Sequence, residues 1–293
     1  MAIPIEVPTV AIRYNTDSNK MECFNGTKWM QVAVSSPDLN GGARGVTTGG
    51  YTGSGSTGNA AMDYFNIESA GNAQDFGDLG TGGWRYGGPL ANQTRMLICG
   101  GDKDPHPNQM NTIMYVTIAT TGNALDSGGD LTNEVQAFTT SCCNPTRGLI
   151  CGGYTPSDDT TIDLVNISSM GNSQDFGNLT AAGNTEDGII SSSTRGLIKI
   201  SKDGVNKSQV DTIQMATMGN SYNFGDLSTT RTAGCGCSSK VRGIFAGGRV
   251  TPAEGQTNID YMTIATGGNG TDFGDLNYSS RAGSGLSNAH GGL

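Results

Sequence analysis

The chain repeats a ten-residue sequence at a nearly fixed interval, and this repeat limits the possible folds more than any other feature. One copy, GNSQDFGNLT, occupies residues 171–180. The others are GNAQDFGDLG at 71–80, the degenerate GNALDSGGDLT at 122–132, GNSYNFGDLS at 219–228 and GNGTDFGDLN at 268–277. Their central residues, four Phe and one Ser, recur at intervals of 51, 49, 48 and 49 residues. Such a period predicts a repeat architecture in which each unit is one supersecondary element.

Each repeat predicts four short β-strands. A unit opens with Arg, an apolar run and usually a double glycine, as in RGLICGGY at 147–154. A loop of variable length leads to a second strand, whose apolar residues alternate with polar ones and so indicate one buried face. The alternating pairs are Phe65/Ile67, Val116/Ile118, Val165/Ile167, Ile213/Met215 and Met262/Ile264. The GN…DFGDL segment and a strand of small residues complete the unit.

The composition agrees with strands and turns rather than helices. Of 293 residues 46 are glycine, which is roughly twice the usual glycine content. Apolar residues with helical spacing do not persist for more than about two turns. The fourth repeat lacks the double glycine and has Lys199-Ile200-Ser201-Lys202 instead, so we expect the fourth unit to be the least regular.

The strand order and the glycine pair resemble the kelch repeat, whose units are the blades of a β-propeller. The resemblance covers about 38–293 and implies an all-β, five-bladed propeller of about 50 residues per blade. The tryptophan that closes a kelch blade is missing, and the Phe of DFGDL is expected to pack between blades in its place. The C-terminal strand around 281–288 is expected to complete the blade begun by residues 44–79. We therefore predict two domains, a short β segment at 1–35 and the propeller at 36–293.

The segment AIRYNTDSNKMECFNGTKWMQV at 11–32 lies outside the repeat. It predicts three strands, with Asn25-Gly26 in a type I′ hairpin turn. It looks like a short module of bacteriophage tail-fibre and other virion proteins, and the residues that carry the likeness are Ile12, Arg13, Tyr14, Asn15, Lys20, Glu22, Asn25, Gly26 and Trp29. The repeats are likewise similar to kelch-like units in virion proteins of cyanobacterial and other marine phages.

These resemblances imply a virion protein that is assembled in the host cytoplasm. Three strands cannot bury much apolar area, so the N-terminal segment is expected to dock on other virion proteins. Ile12, Tyr14 and Trp29 are the predicted attachment residues. A homo-oligomer is expected, and by analogy with fibres it is a trimer.

Charge and hydropathy exclude several other partners. The net charge is −9 and the 17 basic residues are scattered, which argues against nucleic acid and against an anionic membrane surface. No apolar run reaches the length of a spanning helix, so no membrane insertion is expected. The N-terminus lacks the basic and apolar regions of a signal peptide.

The cysteines and aspartates predict structural roles, with no metal and no cofactor. The seven cysteines cannot all pair, and Cys99, Cys151, Cys142 and Cys237 stand in columns where other repeats have small or apolar residues. The aspartates of DFGDL lack calcium-loop spacing and are interpreted as turn-capping residues. Each repeat opens with an arginine, and four repeats carry an aspartate at one position of the second strand. The two sets form either an Arg–Asp ladder between repeats or two independent surface columns. The arginines are Arg44, Arg95, Arg147, Arg195 and Arg242, and the aspartates are Asp63, Asp163, Asp211 and Asp260.

No residue set predicts catalysis. A catalytic histidine needs a third group that orients it, and nothing in the sequence beyond the residue types themselves indicates one for His106 or His290; no glycine-rich phosphate loop is present either. A polysaccharide-cleaving enzyme is therefore only a third alternative.

Binding is favoured because the loops after the double glycines vary most and are rich in hydroxyl-binding side chains. The candidate ligand-binding residues in these loops are Tyr51, His106, Tyr154, Asp158 and Arg249. The leading hypothesis is a non-enzymatic tail-fibre or spike component that adheres to a host-surface glycan or protein. The alternative is a structural capsid decoration or tail adaptor.

Overall fold

In a computed structural model the chain divides into two compact units, Met1–Leu39 and Asn40–Leu293. The structure describes residues 8–16, 20–31, 44–50, 57–80, 82–105, 108–135, 140–155, 157–183, 188–201, 207–239, 241–250, 255–281 and 285. All regular secondary structure in these ranges is β. Among the same residues no helix has the length and hydropathy needed to cross a membrane.

The first unit contains one antiparallel sheet of three strands in the order β1-β2-β3. Its strands are β1 (Ile12–Asn15), β2 (Lys20–Phe24) and β3 (Trp29–Gln31). The three predicted strands are therefore present. The predicted type I′ turn is wrong, because Phe24 pairs with Trp29 across a four-residue loop in which Gly26, but not Asn25, has a positive φ. The Asn25 side chain instead accepts hydrogen bonds from the main-chain N–H groups of Thr27 and Lys28.

The described residues of the second unit form five successive antiparallel sheets, numbered here first to fifth, and one separate two-stranded hairpin. The first sheet consists of β4 (Arg44–Thr48), β5 (Ala61–Asn66) and β6 (Gln74–Asp78). The second consists of β7 (Trp84–Arg85), β8 (Gly88–Ala91), β9 (Arg95–Lys103), β10 (Gln109–Thr117) and β11 (Leu125–Val135). The third consists of β12 (Thr140–Cys143), β13 (Arg147–Cys151), β16 (Thr161–Asn166) and β17 (Gln174–Asn178), with a separate hairpin of β14 (Tyr154–Thr155) and β15 (Ser157–Asp158).

The last two sheets follow the same order. The fourth consists of β18 (Ile189–Ser191), β19 (Arg195–Lys199), β20 (Lys207–Gln214) and β21 (Tyr222–Arg231). The fifth consists of β22 (Cys235–Ser238), β23 (Arg242–Ala246), β24 (Gln256–Thr263) and β25 (Thr271–Ser280). Each repeat thus forms one sheet of strands joined in sequence order. The first sheet has three described strands, and of the segment 281–288 that was expected to complete it only residues 281 and 285 are described.

The double glycines are required by the backbone. At Gly152 and Gly153, for example, φ is +63° and +124°, and the corresponding pairs of the first, second and fifth repeats are similar. Two consecutive left-handed residues are tolerated best by glycine. In the fourth repeat Ile200 and Ser201 avoid this conformation, yet the fourth sheet keeps four strands in the usual order. The expectation that it is the least regular is wrong, since the second sheet, with its split strand β7/β8, departs further.

Four hydrophobic clusters fill the spaces between consecutive sheets. Phe76 of the first sheet packs with Val116 and Ile118 of the second, and Phe176 of the third packs with Ile213 and Met215 of the fourth. Two equivalent clusters join the second sheet to the third and the fourth to the fifth. The prediction that this Phe packs between repeats is confirmed for these residues.

A repeated set of main-chain hydrogen bonds, here called the clasp, joins the DFGD segment of one sheet to the Gly-Asn turn of the next. Between the third and fourth sheets, Gly219 N donates to Phe176 O (2.9 Å) and Ser221 N donates to Asn178 O (2.9 Å). Asn178 N in turn donates to the side-chain oxygen of Asn220 (3.0 Å). Equivalent Asn contacts occur at the other three interfaces, made by Asn123, Asn172 and Asn269. The decapeptide is therefore a joint between sheets as well as a turn.

The repeat-opening arginines strengthen the same interfaces. The Arg147 guanidinium donates to Met215 O (3.0 Å) and Ala216 O (2.7 Å) in the next sheet. Arg95 and Arg195 bind the two equivalent carbonyl oxygens of their neighbours, and Arg44 binds one. The Arg–Asp ladder is therefore not formed by these arginines. Their guanidinium groups instead donate hydrogen bonds to main-chain carbonyl oxygens at the end of a strand in the neighbouring sheet.

Candidate binding site

The variable loops all leave the same end of their sheets. Each one connects the Arg-initiated strand to the following strand, as between β13 and β16 or between β23 and β24. Consecutive sheets meet through the same clasp, so they share one orientation, and the strand ends that flank the loops lie at one end of these sheets. The Gly-Asn turns lie at the opposite end. We call the loop-bearing end the candidate binding site.

Tyr154 and Asp158 are the candidate residues that the structure brings together. The third loop folds into the β14–β15 hairpin, in which Tyr154 is paired with Asp158 and Thr155 with Ser157. Tyr154 is 37% exposed, so its ring is available to a ligand. The Asp159 carboxylate accepts hydrogen bonds from the N–H groups of Thr160 and Thr161. This Asx turn fixes the backbone where the loop enters β16.

The other candidates are less well placed or lie outside the described residues. Arg249 is half-buried, and its main chain exchanges two hydrogen bonds with Thr232 at 2.7 and 3.0 Å. This bridge anchors the fifth loop beside the end of β21. Tyr51 and His106 lie outside the described residues, as does the Asp158 side chain.

A buried ion-pair network, which the sequence analysis missed, supports the loops of the first two repeats. The Arg85 side chain, 1% exposed, lies 3.0 Å from Asp102 and 2.7 Å from Asp104. Asp104 also accepts from Gly58 N (2.7 Å) in the first loop, and Asp102 accepts from Asn108 N (2.7 Å) in the second. Both carboxylates are thus committed to holding loop backbone. Charged residues directly after a buried double-glycine strand, as in GGDKD, were the signal that could have indicated this network.

A second buried cation holds the corresponding region of the last two repeats. Arg231 lies 2.9 Å from Asp260 and donates to Phe245 O (3.1 Å). The Lys199 ammonium, also buried, donates to Arg231 O (2.9 Å). Lys199 occupies the column that Cys99 and Cys151 fill in other repeats. Buried ion pairs, as well as apolar packing, therefore stabilise the strand ends from which the loops begin.

Two aspartates within strands, Asp163 of β16 and Asp211 of β20, have structural hydrogen-bond partners. Asp211 accepts hydrogen bonds from Thr180 and Ser221, and Asp163 accepts one from Ser173 (2.9 Å). Burial raises the pKa of Asp163, while hydrogen bonds from Thr132 and Ser173 oppose that change. In the DFGDL segments, Asp75 and Asp272 accept from the N–H two residues later, which confirms the turn-capping interpretation at these positions.

The part of the chain that the structure describes offers no obvious metal site. Within it, no group of three or more His, Cys, Asp or Glu side chains is arranged to hold a metal ion. All seven cysteines are free thiols; Cys99, Cys142 and Cys151 are buried as predicted, whereas Cys237, of the same column as Cys142, is only half-buried. Burial raises the pKa of the Cys143 thiol to about 11 and raises the pKa of Cys99 and Cys151 as well.

These thiols provide a test of the packing. Because the thiolate is the reactive species, we expect Cys99, Cys143 and Cys151 to resist a disulfide reagent in the native protein at pH 8. Labelling should be confined to the half-buried Cys23, Cys235 and Cys237, whereas all seven cysteines should react in denaturant. Mass spectrometry of labelled peptides distinguishes the two groups. Rapid native labelling of Cys99 or Cys151 would contradict the buried columns.

The first unit presents an apolar face of its own. Ile12 and Tyr14 are 64% and 56% exposed, and cross-strand pairing places them on the same face as Met21, Cys23 and Met30. Trp29 lies on the other face, packed with Phe24 and covered by the Arg13 guanidinium at 4.1 Å from its ring. The three predicted attachment residues therefore do not share one surface. Ile12 and Tyr14 stay candidates, whereas Trp29 stabilises the sheet.

Comparison with known proteins supports the fold alone. No family model matches the chain, and no curated protein matches its sequence. A solved structure of a protein named YjhT is similar over 77% of this chain and 80% of its own, with a TM-score of 0.60 and 10% sequence identity. At that identity the likeness extends to the arrangement of strands and not to activity.

Proposed function

We propose that this chain is a non-enzymatic bacteriophage virion protein that adheres to the host surface through the loop-bearing end of a five-bladed, kelch-like propeller. The observation that carries the proposal is the separation of two roles within each repeat. The clasp, the arginine contacts and the apolar clusters recur between sheets, while the loops at one end differ in length and sequence. A constant frame with variable loops is an arrangement suited to recognition.

The ligand class follows from the loop chemistry. The loop sequences YTPSDDTT at 154–161 and VTPAEGQTN at 250–258 are rich in hydroxyl, carboxylate and amide groups. Such groups, with an exposed tyrosine such as Tyr154, bind sugar hydroxyls and sugar rings. A host-surface glycan is therefore the proposed ligand, and a surface protein is the second choice.

The first unit is proposed to attach the protein to the particle. The face containing Ile12 and Tyr14 has no charged residue among its described members, so covering it removes apolar area from water without burying a charge. Other virion proteins or further copies in a homo-oligomer, a trimer by analogy, are the proposed occupants.

The alternative function, a structural capsid or tail component, is favoured by Phe273 and Tyr278, whose side chains are 55% and 72% exposed on the fifth sheet.

Cell binding tests the proposal. Fluorescently labelled protein, confirmed as folded and sized in solution, is added to a panel of intact marine cyanobacteria and to the same cells stripped of surface polysaccharide. We expect saturable binding to at least one strain and loss of that binding on stripping. Binding that survives stripping would assign a protein receptor. Absence of binding to every strain that a phage carrying this protein infects would favour the structural alternative.

A further inference from the structure

The sequence contains the dipeptide Asn-Gly three times, and this dipeptide reacts with itself where the backbone permits it. The copies are Asn25-Gly26, Asn40-Gly41 and Asn269-Gly270. The glycine nitrogen attacks the asparagine side chain, and glycine has no side chain of its own that would crowd the approach. The first and last copies share the tripeptide Asn-Gly-Thr, and both asparagines are exposed, so only their hydrogen bonds separate their reactivities. Asn40 lies outside the described residues.

The copy at Asn269 is held at both of its reacting groups. Gly270 N donates to Asp226 O at 2.7 Å, and Asn269 Oδ1 accepts from Asp226 N at 3.1 Å. Both contacts belong to the clasp between the fourth and fifth sheets. Attack requires the nitrogen to leave its hydrogen bond and the carboxamide to turn, so the clasp has to open first.

The copy at Asn25 has the opposite arrangement. It lies in the exposed loop between β2 and β3, and among the residues that the structure describes no acceptor binds the Gly26 N–H. Asn25 Oδ1 accepts from Thr27 N (3.0 Å) and Lys28 N (2.9 Å). Negative charge develops on this oxygen when the nitrogen attacks Cγ. The two N–H groups therefore lie where an oxyanion hole places its donors.

We propose that Asn25 is a site of spontaneous self-modification, at which asparagine becomes aspartate or isoaspartate while Asn269 stays intact. Hydroxide removes the Gly26 amide proton, and the nitrogen forms a bond to Asn25 Cγ. The bond from Cγ to Nδ2 breaks, and Nδ2 leaves as ammonia after taking a proton from water. Water then opens the cyclic imide. Cleavage at Cγ gives aspartate, and cleavage at the main-chain carbonyl carbon gives isoaspartate.

The two products change the first unit differently. Aspartate adds a negative charge, and its oxygens still accept from the N–H groups of Thr27 and Lys28. Isoaspartate also lengthens the main chain by the Cβ methylene group, in the loop that sets the pairing of Phe24 with Trp29. Because the register of a hairpin depends on its loop length, isoaspartate should loosen the pairing of β2 with β3. The affected sheet is the one proposed above to attach the protein to the particle.

Timed incubation of the full chain at pH 8 tests the proposal, with Asn269 as the matched control. Peptide mass spectrometry measures deamidation at both sites in the native protein and in guanidinium chloride, where the identical tripeptides should react at similar rates. We expect native Asn25 to react at least as fast as in denaturant, and native Asn269 to react at least about tenfold more slowly than native Asn25. A native Asn25 that is slower than in denaturant, or a smaller difference between the two native sites, would overturn the proposal.

Hydrogen exchange on the aged protein tests the effect on the sheet. Aspartyl and isoaspartyl peptides that contain residue 25 separate by chromatography, so both products are compared within one sample. We expect faster exchange in the isoaspartyl peptide, which includes the amide that bonds from Asn25 N to Lys28 O (3.1 Å) in the parent. Equal exchange in the two peptides would contradict loosening of the hairpin. Neither assay uses cells, so its failure is distinct from failure of host adhesion.

Discussion

The Gly177→Ala variant should be among the most destabilised single-methyl variants of this protein. Gly177 lies in the clasp between the third and fourth sheets at φ +151°, a conformation that alanine rarely adopts. Its added methyl group would lie 2.5 Å from Gly219 O and 2.6 Å from Gly219 C, both main-chain atoms that cannot turn away. Strain of about 1–3 kcal/mol and overpacking of about 1–3 kcal/mol together predict a loss of roughly 4 kcal/mol in the free energy of unfolding.

Gly122→Ala is the matched control, because its φ is nearly the same and its surroundings are open. We expect it to cost only the strain, about 1–3 kcal/mol. Denaturant unfolding of the two variants, monitored by far-ultraviolet circular dichroism, gives the difference. Equal losses would mean that the clasp has room for a methyl group and that the close contact between sheets is not required.

Replacing Arg85 with methionine is the second variant with a large expected effect. Its side chain neutralises Asp102, which is fully buried, and also pairs with the partly exposed Asp104. Breaking a buried pair from one side leaves an uncompensated charge and costs about 3–5 kcal/mol. The loops anchored at Gly58 and Asn108 should also loosen, which hydrogen exchange of those amides would report as faster exchange.

The double variant Arg85→Met/Asp102→Asn separates charge from packing. The asparagine keeps an oxygen that can accept from Asn108 N, and it removes the buried charge that the arginine balanced. We therefore expect the double variant to be more stable than Arg85→Met alone. Its loss in the free energy of unfolding should be clearly smaller than the sum of the losses of the two single variants. Additive losses would indicate that the ion pair contributes through side-chain packing only.

The fold was predictable to the extent that it depends on the repeat. The period of about 50 residues, the alternation at positions such as Val165 and Ile167, and the double glycines indicated successive small antiparallel sheets. The buried cysteine columns followed from the same alignment. These predictions succeeded because each reflects a local pattern that recurs, so that one repeat checks another.

The long-range partners could not be read from the sequence. The asparagine of each Gly-Asn turn resembles an ordinary turn residue, and its role in clasping the preceding sheet depends on how the sheets stack. Arg147 was equally compatible with an aspartate or a carbonyl partner, and only the position of the Met215 carbonyl decides between them. Trp29 was assigned to the attachment surface because the period of a strand does not tell which face is exposed.

The loop-bearing end was predicted as a region, and its individual residues were not. Tyr154 lies exposed in a hairpin, whereas Arg249 is tied to Thr232 through its main chain. The buried network of Arg85, Asp102 and Asp104 was missed because charged residues in loops are normally solvated. Burial of a charge depends on tertiary neighbours, here the returning first loop at Gly58.

The most direct measurement of the central claim is host-cell binding by variants at the two ends of the sheets. Tyr154→Ala combined with Arg249→Ala changes the loop-bearing end, and Tyr222→Ala removes a tyrosine, 48% exposed, from the strand that begins at the opposite end. With equal folding confirmed by circular dichroism, the account predicts that the loop variant binds at least about tenfold more weakly while Tyr222→Ala binds like the parent. Weaker binding of Tyr222→Ala alone would contradict recognition by the loops.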